Sequence, residues 1–80
     1  MKKAELEFEL RNGYDYNVQK ISYHLAKKQD AQNNYIKGTH EKMLIFHELN
    51  KMQIIQLINS LTDDNVDEIS QEFENMKAPK

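Results

Sequence analysis

The sequence predicts an all-α protein, a small bundle of three or four helices. Apolar residues recur at helical spacing along most of its 80 residues. Glycine and proline, which interrupt helices, occur only as Gly13, Gly38 and Pro79. Acidic residues gather at the start of an apolar stripe near the C-terminus, as is typical of the first turn of a helix. These observations predict a single small domain with short connections, spanning residues 1–80.

Two long helices are predicted in the middle of the chain. The first spans residues 15–37, with Asp15 as its N-cap and Gly38 as the left-handed residue that ends it. Its predicted apolar stripe consists of Val18, Ile21, Leu25 and Ile36. The second helix spans residues 40–61 and begins after a cap at Thr39.

A third helix is predicted over residues 63–77. Its apolar residues follow one another at intervals of three, four and three, and they are Val66, Ile69, Phe73 and Met76. Carboxylates crowd its start at Asp63, Asp64, Asp67 and Glu68. The positive end of the helix dipole explains this cluster, which lacks the loop glycine and the alternating oxygen ligands of an EF-hand.

The N-terminal residues 4–18 allow two interpretations. Apolar and charged residues alternate up to Asn12-Gly13 and then alternate again, which is typical of a β-hairpin. A loop at residues 11–13 would place all the apolar side chains on one face. The alternative is a short helix over residues 4–12 that ends at Gly13, because alanine, glutamate and leucine favour helices.

The second predicted helix is apolar on two opposite sides. Ile45, Leu49 and Met52 project away from the side that carries Met43 and Ile54. Either the other helices cover this second side, or it is a contact ridge for a second copy or a different protein. On the first helix, Tyr16 and Tyr23 form a smaller second ridge, and exposed tyrosines are enriched at interfaces.

No motif for catalysis or for a cofactor is found. The chain has no cysteine, which excludes disulfides and thiolate metal sites. His40 and His47 are seven residues apart, about 10 Å along a helix, which is too far for one metal ion without other ligands. His47 instead projects toward the apolar side of its helix. We therefore predict no catalytic, cofactor-binding or metal-binding residues.

Charge is unevenly distributed along the chain. Residues 1–42 carry a net charge of +2 and residues 43–80 a net charge of −4. The basic concentration consists of Lys20, Lys27, Lys28 and Lys37. The sequence pI of 5.9 lies well below the value above about 9 that is usual for DNA-binding domains. No apolar run reaches membrane-spanning length and no secretory signal is evident, so a cytoplasmic protein is predicted.

The predicted function is non-enzymatic binding to another protein or to a second copy, through Ile45, Leu49, Met52, Tyr16 and Tyr23. Size and composition suggest one version, a phage- or mobile-element-encoded regulator or inhibitor that acts by protein–protein contact. The alternative is a small dimeric DNA-binding regulator that uses the helix predicted to carry the four lysines.

Overall fold

The structure, a computed structural model, describes residues 2–77 and consists there of three α-helices: α1 (Lys3–Asp30), α2 (Asn34–Ser60) and α3 (Val66–Lys77). The connection between α1 and α2 is only three residues long, so the two helices form an antiparallel hairpin. The third helix packs against one end of that hairpin. The described residues contain no strand, which confirms the predicted helical bundle with three helices.

The β-hairpin interpretation of residues 4–18 is wrong, because these residues all lie inside α1. Leu6 and Leu10, which are four residues apart, are both fully buried, whereas Phe8 is 65% exposed. The alternative of a short helix ending at Gly13 is also wrong, because α1 continues for 17 residues beyond it. A Cβ atom at Gly13 would lie 3.0 Å from Cζ of Phe73, so this glycine lets α3 approach closely.

The predicted boundary between helices 15–37 and 40–61 is wrong. The non-helical connection lies at residues 31–33, and Gly38 lies within α2. Asn33 caps α2 with its side chain, whose Oδ1 accepts a hydrogen bond from the backbone N–H of Ile36 at 2.8 Å. Lys27 and Lys28 lie in the last turn of α1, where the negative end of the helix dipole favours positive charge. They are therefore consistent with a helix that ends at Asp30.

The predicted third helix is confirmed, although it begins at Val66 and not at residue 63. A short turn precedes it, held by the side chain of Asn65. The Oδ1 of Asn65 accepts from the backbone N–H of Thr62 at 2.7 Å, and its Nδ2 donates to the carbonyl of Ser60 at 2.8 Å. Asp67 and Glu68 occupy the first turn of α3 as predicted, whereas Asp63 and Asp64 lie in the turn that precedes it.

The buried apolar core lies entirely at the end of the hairpin that α3 covers. Its members are Leu6, Leu10, Ile54, Leu57, Leu61, Val66, Ile69 and Phe73. We refer to this part, residues 3–15 and 53–77, as the closed half. The remainder, residues 16–52, is a two-helix hairpin that we call the open half. The molecule measures 50 × 22 × 15 Å, so the two halves lie one after the other along its length.

The inner face of α1 in the open half differs from the predicted apolar stripe. Val18 and Leu25 are 38% and 46% exposed, and Ile21 is partly buried. Ile36, the fourth residue of the predicted stripe, lies on α2. The polar residues Asn17 and His24 lie on the side that faces α2. The buried side of α1 is therefore set by Leu6 and Leu10 and continues through polar residues.

Candidate binding surface

The outer ridge of α2, which we define as Ile45, Leu49 and Met52, is exposed along its whole length. These side chains are 61%, 55% and 54% accessible to solvent. The interpretation that other helices of the same chain cover this side is wrong. Helical geometry puts the ridge diametrically opposite His47 and Ile54, which are buried against α1 and α3. Phe46, half-exposed, lies about 60° round the helix from Leu49 and widens the apolar surface.

One edge of α1 carries alternating aromatic and basic side chains, Tyr16, Lys20, Tyr23 and Lys27, which we call the tyrosine–lysine stripe. The ammonium group of Lys20 lies 5.7 Å from the ring centre of Tyr16 and 5.5 Å from that of Tyr23. Lys27 stands 5.7 Å from the ring of Tyr23. Both tyrosines, predicted as partner-binding residues, are about half-exposed and held by cation–π contacts with the lysines.

A buried polar pair joins α1 to α2 at the boundary between the two halves. The side chain of Asn17 donates from Nδ2 to the carbonyl of Gly13 at 2.8 Å. Its Oδ1 is therefore free to accept a hydrogen bond, and it lies 2.8 Å from Nδ1 of His47. This arrangement places a hydrogen on Nδ1 of His47. The position of His47 on the buried side of α2 is the one that the sequence predicts.

The open half contains two further histidines beside this pair. Nδ1 of His24 on α1 lies 2.8 Å from Nδ1 of His40 on α2, so one ring donates and the other accepts. The rings of His24 and His47 are stacked, with centres 5.6 Å apart and an angle of 19° between their planes. The interior of the open half therefore contains a layer of three imidazoles and an asparagine.

The protein environment lowers the pKa of two of these histidines. Burial lowers the pKa of His24, and the nearby charges of His40 and Lys20 act in the same direction. The pKa of His47 is lowered by burial first and then by His24 and Lys20. Both shifts favour neutral rings, which a shared His24–His40 hydrogen bond requires of at least one partner.

A groove of about 490 Å³ runs between α1 and α2 on the side where α3 packs. Tyr16 and Lys20 form one wall, and Met43 and Phe46 form the other. The rings of His24 and His47 also border it, and Phe73, Met76 and Lys77 of α3 close one end. The groove is therefore a continuation of the space that α3 itself occupies in the closed half.

The predicted basic helix does not exist as one element. Lys20, Lys27 and Lys28 lie on α1, whereas Lys37 lies in the first turns of α2. Lys28 pairs with Glu41 across the hairpin, with 3.2 Å between Nζ and Oε1. Lys20 and Lys27 lie beside the exposed rings of Tyr16 and Tyr23.

Asn17, His24 and Phe46 are among the surface and groove residues that the sequence analysis does not identify. His24 lies seven residues after Asn17, so the two share one side of a helix, and that interval is the signal that could have found it. The predicted apolar stripe of Val18, Ile21 and Leu25 assigns a different side of this helix to the interior, so His24 is not expected there. Among residues 2–77, no group of three or more histidine, cysteine or acidic side chains has the arrangement of a metal site.

None of the described helices is both apolar enough and long enough to cross a lipid bilayer. Comparison of the chain with protein-family models, with curated proteins and with solved structures finds no match. The geometry of the open half is therefore the basis for a functional proposal.

Proposed function

We propose that this chain is a non-enzymatic protein-binding module whose contact surface is the open half of the α1–α2 hairpin. One observation carries the proposal. Of the twelve large apolar side chains that are exposed among the described residues, ten lie between Tyr16 and Met52. No buried apolar core residue lies in the same interval. Concentrated exposed apolar surface of this kind is typical of an interface.

The size of the exposed surface supports the same proposal. The chain exposes 5962 Å², whereas a compact protein of 9.5 kDa exposes about 5,000 Å². The excess of roughly 900 Å² is close to the area that each partner contributes to a protein–protein interface of standard size. The radius of gyration is 15.0 Å, against about 12 Å for a compact chain of this length, which also indicates an extended shape with more exposed surface.

We assign the outer ridge to a second copy of this chain. Its three apolar residues are spaced four and three apart, which is the spacing of a helix-pairing seam. Both signs of charge lie beside it, with Lys42 near Ile45 and Glu48 near Met52. A surface without one dominant charge does not select an oppositely charged partner. Symmetric pairing would bury identical ridges against each other.

A regulator or inhibitor, of the kind encoded by phages and mobile elements, is the finer form of this proposal. Small size and a composition without catalytic motifs support it. The histidines of the open half also bond to one another and to Asn17, which is a structural use of these groups. Such a protein would act by occupying the surface of its target.

Solution mass tests the assignment of the outer ridge. Light scattering should give twice the chain mass of 9.5 kDa at high concentration and approach the single mass on dilution. Leu49→Glu should give the single mass at every concentration while far-UV circular dichroism stays unchanged. Phe8→Glu is the matched control, because Phe8 is at least as exposed as Leu49 but lies in the closed half. A wild-type monomer at millimolar concentration, or a dimeric Leu49→Glu protein, would overturn the assignment.

The DNA-binding alternative rests on the tyrosine–lysine stripe, since aromatic rings next to lysines can stack on bases. A net charge of −2 and the pairing of Lys28 with Glu41 weaken it. If it were correct, Lys27→Glu combined with Lys28→Glu would abolish binding to an oligonucleotide, and wild-type affinity would fall steeply with salt. We expect no such binding at physiological salt.

A further inference from the structure

The third helix covers only part of the face on which it packs. Phe73 lies against Gly13 and close to Ile54, in the middle of the hairpin. Met76 and Lys77 follow at the border of the open groove. Beyond them the two long helices continue side by side, through Tyr16–Lys28 on α1. That stretch is about 18 Å long, enough for a little over three turns of another helix.

The groove offers an apolar contact similar to the one on which α3 packs. In the closed half, α3 presents apolar residues at intervals of three, four and three to the two long helices. In the open half, the same kind of contact is offered by Tyr16, Met43 and Phe46. The side chains that line the groove within residues 2–77 include two lysines and no carboxylate. Lys77 pairs with Glu74 of α3, with 3.5 Å between Nζ and Oε1, so Lys20 carries the positive charge of the groove lining.

The acidic residues of α2 in the open half lie away from the groove. Glu41 and Glu48 project from the opposite flank of α2, where Glu41 pairs with Lys28. On the groove side, Lys27 extends the basic edge that Lys20 begins. The groove is therefore an apolar channel with a positive margin.

We propose that this groove binds an amphipathic helix of another protein, lying in line with α3 and carrying carboxylates beside its apolar face. The inference rests on the proposed protein-binding function and adds the kind of partner. We expect a helical ligand because the groove continues the site in which α1 and α2 already pack against a helix, α3. The positive margin of Lys20 and Lys27 accounts for its acidic flank.

The protonation of the histidines bears on this contact, because they border the groove. His24 faces His40 and Lys20, and His47 faces His24 and Asn17. Added positive charge at these rings would attract carboxylates on the ligand. The same charge would repel Lys20, so binding is best measured at a pH where the rings are neutral.

The test uses a synthetic peptide of about four helical turns. It has leucines at intervals of three, four and three, with glutamates on both sides of them. The control peptide has lysine in place of each glutamate. Binding is measured by fluorescence anisotropy of labelled peptide with the full chain at pH 8. The acidic peptide should bind saturably and weaken as salt rises, and the lysine peptide should not bind.

Two variants test whether the peptide binds in the groove. Phe46→Glu and Lys20→Glu should each weaken binding about tenfold or more, with circular dichroism unchanged. Phe8→Glu and Lys37→Glu are matched controls outside the groove and should bind as the wild type does. No saturable binding of the acidic peptide, or equal binding by the Phe46 and Lys20 variants, would overturn the proposal.

The outcome is separable from that of the dimer assignment. Unchanged association through the outer ridge without peptide binding would refute the groove proposal alone. Tighter binding of a labelled single-stranded oligonucleotide than of the acidic peptide would also refute it, since the stripe would then serve nucleic acid.

Discussion

The side-chain oxygen of Asn17 accepts a hydrogen bond from Nδ1 of His47 across the α1–α2 interface, at 2.8 Å. This buried pair marks the border between two kinds of interior. On one side lies an apolar core closed by three helices, and on the other a layer of histidines inside a hairpin. Apolar residues of the open half lie mainly on the outside. The proposed function follows from this division.

Removal of one member of the Asn17–His47 pair should destabilise the fold. Asn17→Ala leaves a buried imidazole N–H without its acceptor, which costs about 1–3 kcal/mol. We expect this loss in the free energy of unfolding from urea denaturation. The double variant Asn17→Leu with His47→Leu should recover most of it, because both polar groups are then absent. Full wild-type stability of Asn17→Ala would show that the bond contributes nothing.

The two glycines should respond in opposite directions to alanine. At Gly13 a Cβ would lie 3.0 Å from Cζ of Phe73 and 3.3 Å from Cδ1 of Ile54, so Gly13→Ala should cost roughly 1 kcal/mol through forced displacement of α3. At Gly38 a Cβ meets nothing within 4 Å, and Gly38→Ala should stabilise α2 by about 0.5–1 kcal/mol. Thermal unfolding of both proteins makes the comparison. Equal shifts of the same sign would contradict close packing at Gly13.

Stability should fall as the pH is lowered through the range in which histidine titrates. His24, which is partly buried, and His47, which is buried, have a lower pKa in the folded chain than the ordinary value of 6.5, mainly because desolvation disfavours the charged ring. The unfolded chain therefore binds more protons as the pH falls, which favours unfolding. The contribution is fully present well above pH 6.5 and is lost progressively below it. Urea denaturation between pH 8 and pH 5.5 measures the slope.

A variant separates the histidine layer from other titrating groups. His24→Gln removes one ring that faces His40, His47 and Lys20, so its stability should depend less steeply on pH. An identical slope in His24→Gln and the wild type would assign the pH dependence elsewhere.

Part of the fold follows from local sequence signals and part does not. The third helix was predictable, because its apolar spacing and its acidic first turn indicate the same element. The first helix was not, because the alternation of Leu6, Phe8 and Leu10 is compatible with a strand and with a helix. Contacts with Ile54 and Phe73, distant in sequence, decide between them. A glycine such as Gly13 can end a helix or admit a neighbour, and only the packing distinguishes the two.

The candidate surface was predictable where it depends on one helix. The outer ridge follows from the spacing of Ile45, Leu49 and Met52 within α2, and the structure leaves all three exposed. The histidine layer and the groove need two helices in a known alignment. Because Gly38 predicts a helix boundary and the true connection lies at residues 31–33, the sequence does not assign the partners of Asn17 and His24.

Amide hydrogen exchange at several protein concentrations tests most directly whether the open half is the association surface. We predict that protection within residues 16–30 and 34–52 increases as concentration rises, while protection in the closed half stays constant. Leu49→Glu should abolish the increase. Protection of the open half that is independent of concentration, and as high as that of the closed half, would contradict the account.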